Sequence, residues 1–207
     1  RHDLYPDYKA NRPPMPEDLA LQIPYIKEVV TAFNLTMLEK PGFEADDLIG
    51  TLVLQARKAG FAVIMVTGDK DFLQLVADNA TIWDPMKEKT VDTVSIRDEY
   101  GVEPLQMIDV MGLSGDTSDN VPGVPGIGPK TARGLIRKFE NLENLYERLG
   151  SEDQKESKSS GILRSRCRSS QRGSREYHRF LFSNRRVWER GGNDCMDRYG
   201  KYFFDQQ

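Results

Sequence analysis

The chain has 207 residues, 38% of them hydrophobic and 29% charged, with a formal net charge of −3; that is enough apolar side chain for one or two packed soluble domains. No run comes near the roughly eighteen apolar residues of a membrane span, and the opening Arg1–Tyr5 lacks the apolar centre of a signal peptide, so the chain reads as cytoplasmic. Cys167, Cys195, His2 and His178 are the whole supply of cysteine and histidine, which excludes a disulfide framework and a four-ligand zinc site, supplies histidine-centred chemistry poorly, and leaves metal or acid-base chemistry to carboxylates.

The first residue is not Met, and the chain enters a charged, aromatic run at once, so a preceding segment is expected. Pro16-Glu17-Asp18 starts a helix in which Leu19, Ile23, Ile26, Val29, Val30 and Phe33 recur at helical spacing, with Pro24 expected to bend it. Thr36-Met37-Leu38 is a short strand candidate and Lys40-Pro41-Gly42 a turn. The span from Glu44 to Ala59 reads as a helix with Leu48, Ile49, Leu52, Val53 and Ala56 inward, stopped by Gly60. Phe61 to Val66 is a continuous apolar run of the kind found in strands buried on both faces. A short helix over Phe72–Val76, strands at Thr81–Trp83 and Val91–Val94, and a helical turn from Ile96 to Tyr100 closed by Gly101 complete an α/β pattern. Beyond Gly101 the strands stop, and Pro104–Met111 and Pro129–Phe139 predict two helices joined by a Gly- and Pro-rich connection.

The two ends of the chain differ. Residues 1–150 carry 16 Lys and Arg against 24 Asp and Glu, and 37 Ile, Leu and Val; residues 151–207 carry 13 against 8, with only Ile162, Leu163, Leu181 and Val187. The tail is Ser, Arg and Lys rich without a sustained period, the composition of a solvated segment. It reads either as a basic nucleic-acid arm with interspersed aromatics or as a tail under no folding constraint, conceivably out of frame after Gly150. Three divisions follow: an α/β core over residues 1–100, a small helical module over 101–150, and an atypical basic tail over 151–207.

Three acidic clusters lie near loops. Glu44, Asp46 and Asp47 crowd the first turn of a helix, Asp69 and Asp71 follow the buried strand, and Asp116 and Asp119 lie three apart in a turn. Each has a bland explanation: dipole and cap complementation for the first, a polar turn for the second, an Asx turn for the third. Asp69 and Asp71 sit where ligands bind in open parallel sheets, beyond a strand's carboxyl end, and on extended chain they would project the same way. Together the seven carboxylates suit hard oxygen-loving cations, Mg²⁺ or Mn²⁺, and two such ions could clamp the attacking and leaving oxygens of a phosphodiester.

A second signal is the glycine-rich connection Gly126-Ile127-Gly128 opening a helix at Pro129-Lys130-Thr131. Close backbone approach, free N–H groups at the helix start and the Lys130 charge make an anion site, and its spacing is not that of a nucleotide P-loop. It reads as a sequence-independent grip on a nucleic-acid backbone, against the alternative of a structural turn. At the front, Arg1, Tyr5, Tyr8, Lys9 and Arg12 interleave bases with aromatics, which could steer phosphates and stack on an exposed base, or simply form a solvated helix face.

Tyr5-Pro6-Asp7-Tyr8-Lys9-Ala10-Asn11-Arg12, Gly42-Phe43-Glu44-Ala45-Asp46-Asp47, Thr67-Gly68-Asp69-Lys70-Asp71 and the stretch from Ser114 to Ala132 occur in that order, and in this the sequence resembles the bacterial 5′-3′ exonuclease family, in its DNA polymerase I type, related to the flap endonucleases. The resemblance runs from Arg1 to about Leu149. It implies a PIN-like 5′ nuclease core, a parallel sheet with helices on both faces, followed by a helix-three-turn-helix module. It implies metal-dependent cleavage of DNA 5′ flaps and removal of 5′ nucleotides at nicks and 5′ ends, a monomer, and a polymerase domain in the intact parent.

By matching position, the resemblance makes Glu44, Asp46, Asp47, Asp69 and Asp71 metal ligands, and Asp116 and Asp119 acids of a second metal. Lys9 and Arg12 match the basic foot of the helical arch that threads the 5′ end, and Gly126, Ile127, Gly128, Lys130 and Thr131 the module that holds the duplex, there often with K⁺. The family's first strand with two further acids is not matched, and its later helices are not matched after Leu149. Two alternatives stay open: a non-catalytic DNA binder using only the hairpin module, and a phosphatase of the haloacid dehalogenase type. The phosphatase lacks its Thr after Asp71 and leaves Glu44, Asp46 and Asp47 without a role.

Overall fold

The computed structural model describes residue 2 and residues 5–150, the side chains of 149 and 150 excepted; the expectations for Arg1 and for the tail over 151–207 lie outside the described residues. The elements in order are α1 (Glu17–Ala32), α2 (Ala45–Lys58), β1 (Val63–Val66), a 3₁₀ helix (Lys70–Leu75), β2 (Ala80–Asp84), β3 (Lys89–Val91), α3 (Thr93–Tyr100), a 3₁₀ turn (Pro104–Gln106), α4 (Met107–Ser114), β4 (Gly115–Asp116), β5 (Val121–Pro122), α5 (Pro129–Phe139) and α6 (Leu142–Gly150).

A mixed three-stranded sheet has the order β1-β2-β3. β1 runs parallel to β2, with Val63 opposite Ala80 and Val66 opposite Trp83, and β3 returns antiparallel with Val91 opposite Ile82. Asn79 ties the entry to this sheet: its side chain accepts Arg57 Nε at 3.0 Å and donates to Phe61 O at 3.2 Å, and its carbonyl accepts Val63 N at 2.9 Å. α3 starts where Asp92 accepts the Ser95 N–H at 2.7 Å and stops where Gly101 takes a left-handed φ of 69°.

One apolar cluster runs from the sheet (Met65, Ile82) through Phe72 and Leu75 into the helical part (Leu113, Val124, Ile127, Ile136, Leu145). It fixes the 3₁₀ helix, α4 and α5 relative to the carboxyl end of β1. A satellite cluster of Tyr8, Ile108, Met111 and Val121 pins the N-terminal segment onto α4 and β5.

Several expectations need correction. α1 forms with Pro24 inside it, but none of its residues is buried; Leu21 is 72% exposed, and Phe33 just beyond it 74%. The helix forms where the spacing placed it, but its apolar face contributes no buried residue. Residues Thr36 to Leu38 form no strand, because nothing described pairs with them. β1 is an edge strand with Ile64 69% and Val66 67% exposed, not a strand covered on both faces. The buried side of α2 is Asp47, Gly50, Thr51 and Val53, while Ile49 is exposed, so part of the expected inward face points out. Strands do occur after Gly101, as the two-residue ladder of β4 and β5, and α6 is a helix that periodicity did not single out. No described helix is long and apolar enough to cross a membrane.

Candidate metal centre and nucleic-acid interface

Beyond the carboxyl end of β1 the chain turns at Asp69, whose Oδ1 accepts the Asp71 N–H at 2.9 Å and so caps the 3₁₀ helix. This capping fixes Asp69 and turns Asp71 inward. The second contribution comes from the β4–β5 hairpin after α4. There Gly115 has φ of 76°, and a Cβ on it would lie 2.3 Å from Gly123 N; a Cβ on Gly123 would lie 2.3 Å from the Ser114 carbonyl carbon. Only two glycines allow this backbone crossing, and the crossing delivers Asp116, whose side chain is 2% exposed.

Asp71, Asp116 and Asp119 each offer an oxygen within 4.8 Å of the others. Among the described residues this is the one group of three His, Cys, Asp or Glu side chains so close together. Asp71 Oδ1 is buried without a hydrogen-bond partner, the one such side-chain atom among the described residues. Burial, then the neighbouring charges of Asp69 and Asp116, push its carboxyl up from 3.8 to about 7. Burial acts on Asp116 in the same direction, but the Lys70 ammonium and the Ser118 N–H more than offset it and hold this carboxyl below the usual range. An orphaned buried oxygen facing two more carboxylates fits a hard cation: such an ion would supply the missing partner and remove the repulsion.

The other four predicted acids are arranged differently. Glu44 caps α2, and Asp47 accepts the Glu44 N–H at 3.0 Å in a reciprocal capping box. Glu44 Oε2 also accepts Lys9 Nζ at 2.8 Å and Tyr8 Oη at 3.2 Å. Asp47 is buried and Asp46 half-buried in the same turn. These acids and Asp69 stand outside the close trio, and it is Asp71 alone of the Asp69–Asp71 pair that meets Asp116 and Asp119. Asp84, buried at the end of β2, closes a turn by accepting Met86 N at 3.0 Å and Lys87 Nζ at 2.9 Å.

The N-terminal segment is a strap tying these clusters together. Tyr5 Oη donates to Asn120 O at 3.0 Å, Lys9 N to Asp119 O at 3.0 Å, Asn11 Nδ2 to Thr117 O at 2.7 Å, and Arg12 Nη2 to Asp119 Oδ1 at 2.7 Å. Asn120 returns a bond to Asp7 O at 2.8 Å. Tyr5 is thereby engaged in packing and bonding, while Lys9 and Arg12 place their charges on carboxylates at the rim. Sequence reasoning missed Lys70, Asn11, Asn120 and the Gly115–Gly123 crossing. Lys70 left a signal, a cation between two acids; the glycine crossing left none that could be told from ordinary turn chemistry.

The glycine-rich loop before α5 carries the predicted grip on the duplex. Ile127 is buried in the main core and Gly126 takes φ of 76°. Gly128 is the N-cap residue of α5, no side chain caps that helix, and Lys130 and Thr131 are exposed in its first turn. The first N–H groups of α5 therefore face outward beside a lysine, the arrangement an anion site needs.

Residues 1–101 match the family model described as the N-terminal resolvase-like domain of 5′-3′ exonuclease, and residues 102–172 its C-terminal SAM fold. The chain belongs to the 5′-3′ exonuclease family, a family of nucleases, in its DNA polymerase I type; the phosphatase alternative has no further basis. The chain is 47% identical over 148 residues to DNA polymerase I of Rhizobium leguminosarum, a match that covers 72% of this chain and 15% of that protein. It is 45% identical over 149 residues to the thermostable DNA polymerase I of Thermus thermophilus, covering 72% and 18%. It is 41% identical over 147 residues to the 5′-3′ exonuclease of Aquifex aeolicus, covering 71% and 51%. The chain thus spans a small part of the polymerases and about half of the free-standing exonuclease. Among solved structures, zinc-bound T5 5′-exonuclease has the same fold with a TM-score of 0.78 at 21% identity, covering 99% of this chain and 78% of that one.

Proposed function

We propose that this chain is the 5′ nuclease part of a DNA-processing enzyme, hydrolysing phosphodiesters at 5′ flaps, nicks and 5′ ends with divalent metal ions. The observation that carries the reading is the buried, unpartnered Asp71 Oδ1 facing Asp116 and Asp119. Two ions, Mg²⁺ or Mn²⁺, would neutralise the phosphodiester and stabilise the attacking and leaving oxygens. Asp71, Asp116 and Asp119 are assigned one of them, and Glu44, Asp46, Asp47 and Asp69 the other.

The chain's own residues do the rest. Lys9 and Arg12 hold positive charge over the carboxylates, so a phosphate approaching an otherwise acidic surface meets cations first. Gly126 and Gly128 let a backbone come close, and the N–H groups of α5 with Lys130 and Thr131 would bind the phosphates of the duplex, with a K⁺ at the loop as part of the same grip. Arg1 and Tyr5 belong to the 5′-end side of this reading. Residues 1–100 act as the nuclease core and 101–150 as the duplex-holding module of a monomer that works in the cytoplasm. The intact protein carries a polymerase domain, as in the polymerase relatives.

The test is incubation of the purified chain with a labelled 5′-flap duplex in Mg²⁺ and in EDTA. Metal-dependent release of short 5′ products is expected. Binding without cleavage at any metal concentration would instead favour a DNA binder that uses the hairpin alone.

A further inference from the structure

Lys70 has no part in the assignments above, yet it stands between Asp69 and Asp71 and its side chain crosses to the opposite side of the site. Its Nζ lies 3.1 Å from Asp116 Oδ1; the lysine side chain is 46% exposed and the carboxylate 2%. The same oxygen accepts the Ser118 N–H at 2.9 Å, so the protein's own donors already occupy it. Asp116 is one of the three acids whose oxygens gather within 4.8 Å. A dication entering there meets a positive charge and a carboxylate oxygen already engaged. Lys9 and Arg12 also pair with acids, Glu44 and Asp119, but both belong to the N-terminal strap. Lys70 is anchored on the 3₁₀ helix that carries Asp71, so its charge stays with the carboxylates wherever the strap goes.

Building on the metal reading, we propose that Lys70 is a tethered counter-ion of the metal-free site: its ammonium holds Asp116 until a divalent cation displaces it, and this competition sets how tightly the ion is held. Three converging carboxylates with Asp69 beside them repel one another, and an internal cation keeps them in place without a metal. Displacing it takes only a swing toward solvent, because the lysine side chain is half exposed and regains rotamer freedom when released. The result is a site preformed for metal yet tuned to let it exchange.

The experiment is a Mn²⁺ titration of the full 207-residue chain followed by electron paramagnetic resonance of the free ion, on the wild type, Lys70→Met and Lys70→Arg, with metal-free melting alongside. Lys70→Met is expected to bind Mn²⁺ roughly two- to fivefold more tightly, the worth of one partly exposed ion pair, and to melt lower without metal. Lys70→Arg keeps the charge and should stay within about twofold of wild type. Lys70→Gln, neutral and of similar length, carries the same expectation as Lys70→Met should that variant fold poorly. Unchanged or weaker Mn²⁺ binding by the folded neutral variants would overturn the role of Lys70 and leave the metal site standing. No Mn²⁺ uptake by the wild type would remove the metal reading and this inference together.

Discussion

Two groups of acids, each held by the N-terminal strap, are built on opposite principles. At the start of α2, Glu44 and Asp47 satisfy each other's backbone through a capping box, and Glu44 is further held by Lys9 and Tyr8. These carboxylates stabilise the fold whatever else they do. In the trio, Asp71 is half-buried, with one oxygen fully buried and unpartnered and its ionisation suppressed by desolvation and neighbouring acids. That arrangement costs stability in the charged state. The contrast teaches that acid density alone does not say how far a group of acids depends on a cation; the mark of that dependence is a carboxylate that the protein's own donors leave unsatisfied.

The sharpest way to break the comparison is Asp71→Asn. The folded value of about 7 lies above the ordinary 3.8, so this group's stabilising contribution is full below 3.8 and is lost as pH rises toward 7. In metal-free protein at pH 8 the substitution should therefore stabilise, on the order of 4 kcal/mol at most, while flap cleavage and the rise in melting temperature with Mg²⁺ disappear. Urea denaturation at pH 4 and pH 8 checks the sign: the gain should be absent at the lower pH. A loss of stability at pH 8 would mean that Asp71 is held by something other than strain.

Gly115→Ala should come next. The new Cβ would meet Gly123 N at 2.3 Å on a backbone with φ of 76°, so a loss of roughly 3 kcal/mol is expected, with weaker Mn²⁺ uptake because Asp116 is displaced. Glu44→Ala should move metal-free stability in the opposite direction to Asp71→Asn, lowering it by about 1 kcal/mol through the lost cap. Equal signs for these two variants would erase the distinction between the two groups. Smallest is Lys130→Ala, which should leave stability unchanged and reduce the salt dependence of duplex binding by about one phosphate contact; fluorescence anisotropy from 50 to 200 mM salt reads it.

Much of this was legible in the residues. Helical spacing located α1, α2 and α5, and the sequence Gly128-Pro129-Lys130 marked the start of α5 without help from the structure. All seven acids were visible as candidates, and four ordered motifs identified the family. What could not be read was partnership. Asp69 and Asp71 look equivalent in sequence, yet one caps a helix and the other joins Asp116, because a 3₁₀ helix, not an extended segment, begins between them. β1 is as apolar as a fully covered strand, but its pattern carries no record of lying at a sheet edge. The helix α1 forms where the spacing placed it, yet none of its residues is buried. Long-range bonds of the strap, such as Asn11 to Thr117 and Asn120 to Asp7, join residues whose local sequence says nothing of each other.

The central claim is that Asp71, Asp116 and Asp119 hold a divalent cation. Anomalous scattering from crystals grown with Mn²⁺ tests it most directly. A peak bounded by oxygens of those three residues, absent in Asp71→Asn crystals grown the same way, is the predicted result. Well-ordered carboxylates with no peak between them, or Mn²⁺ bound only beside Glu44 and Asp47, would contradict it.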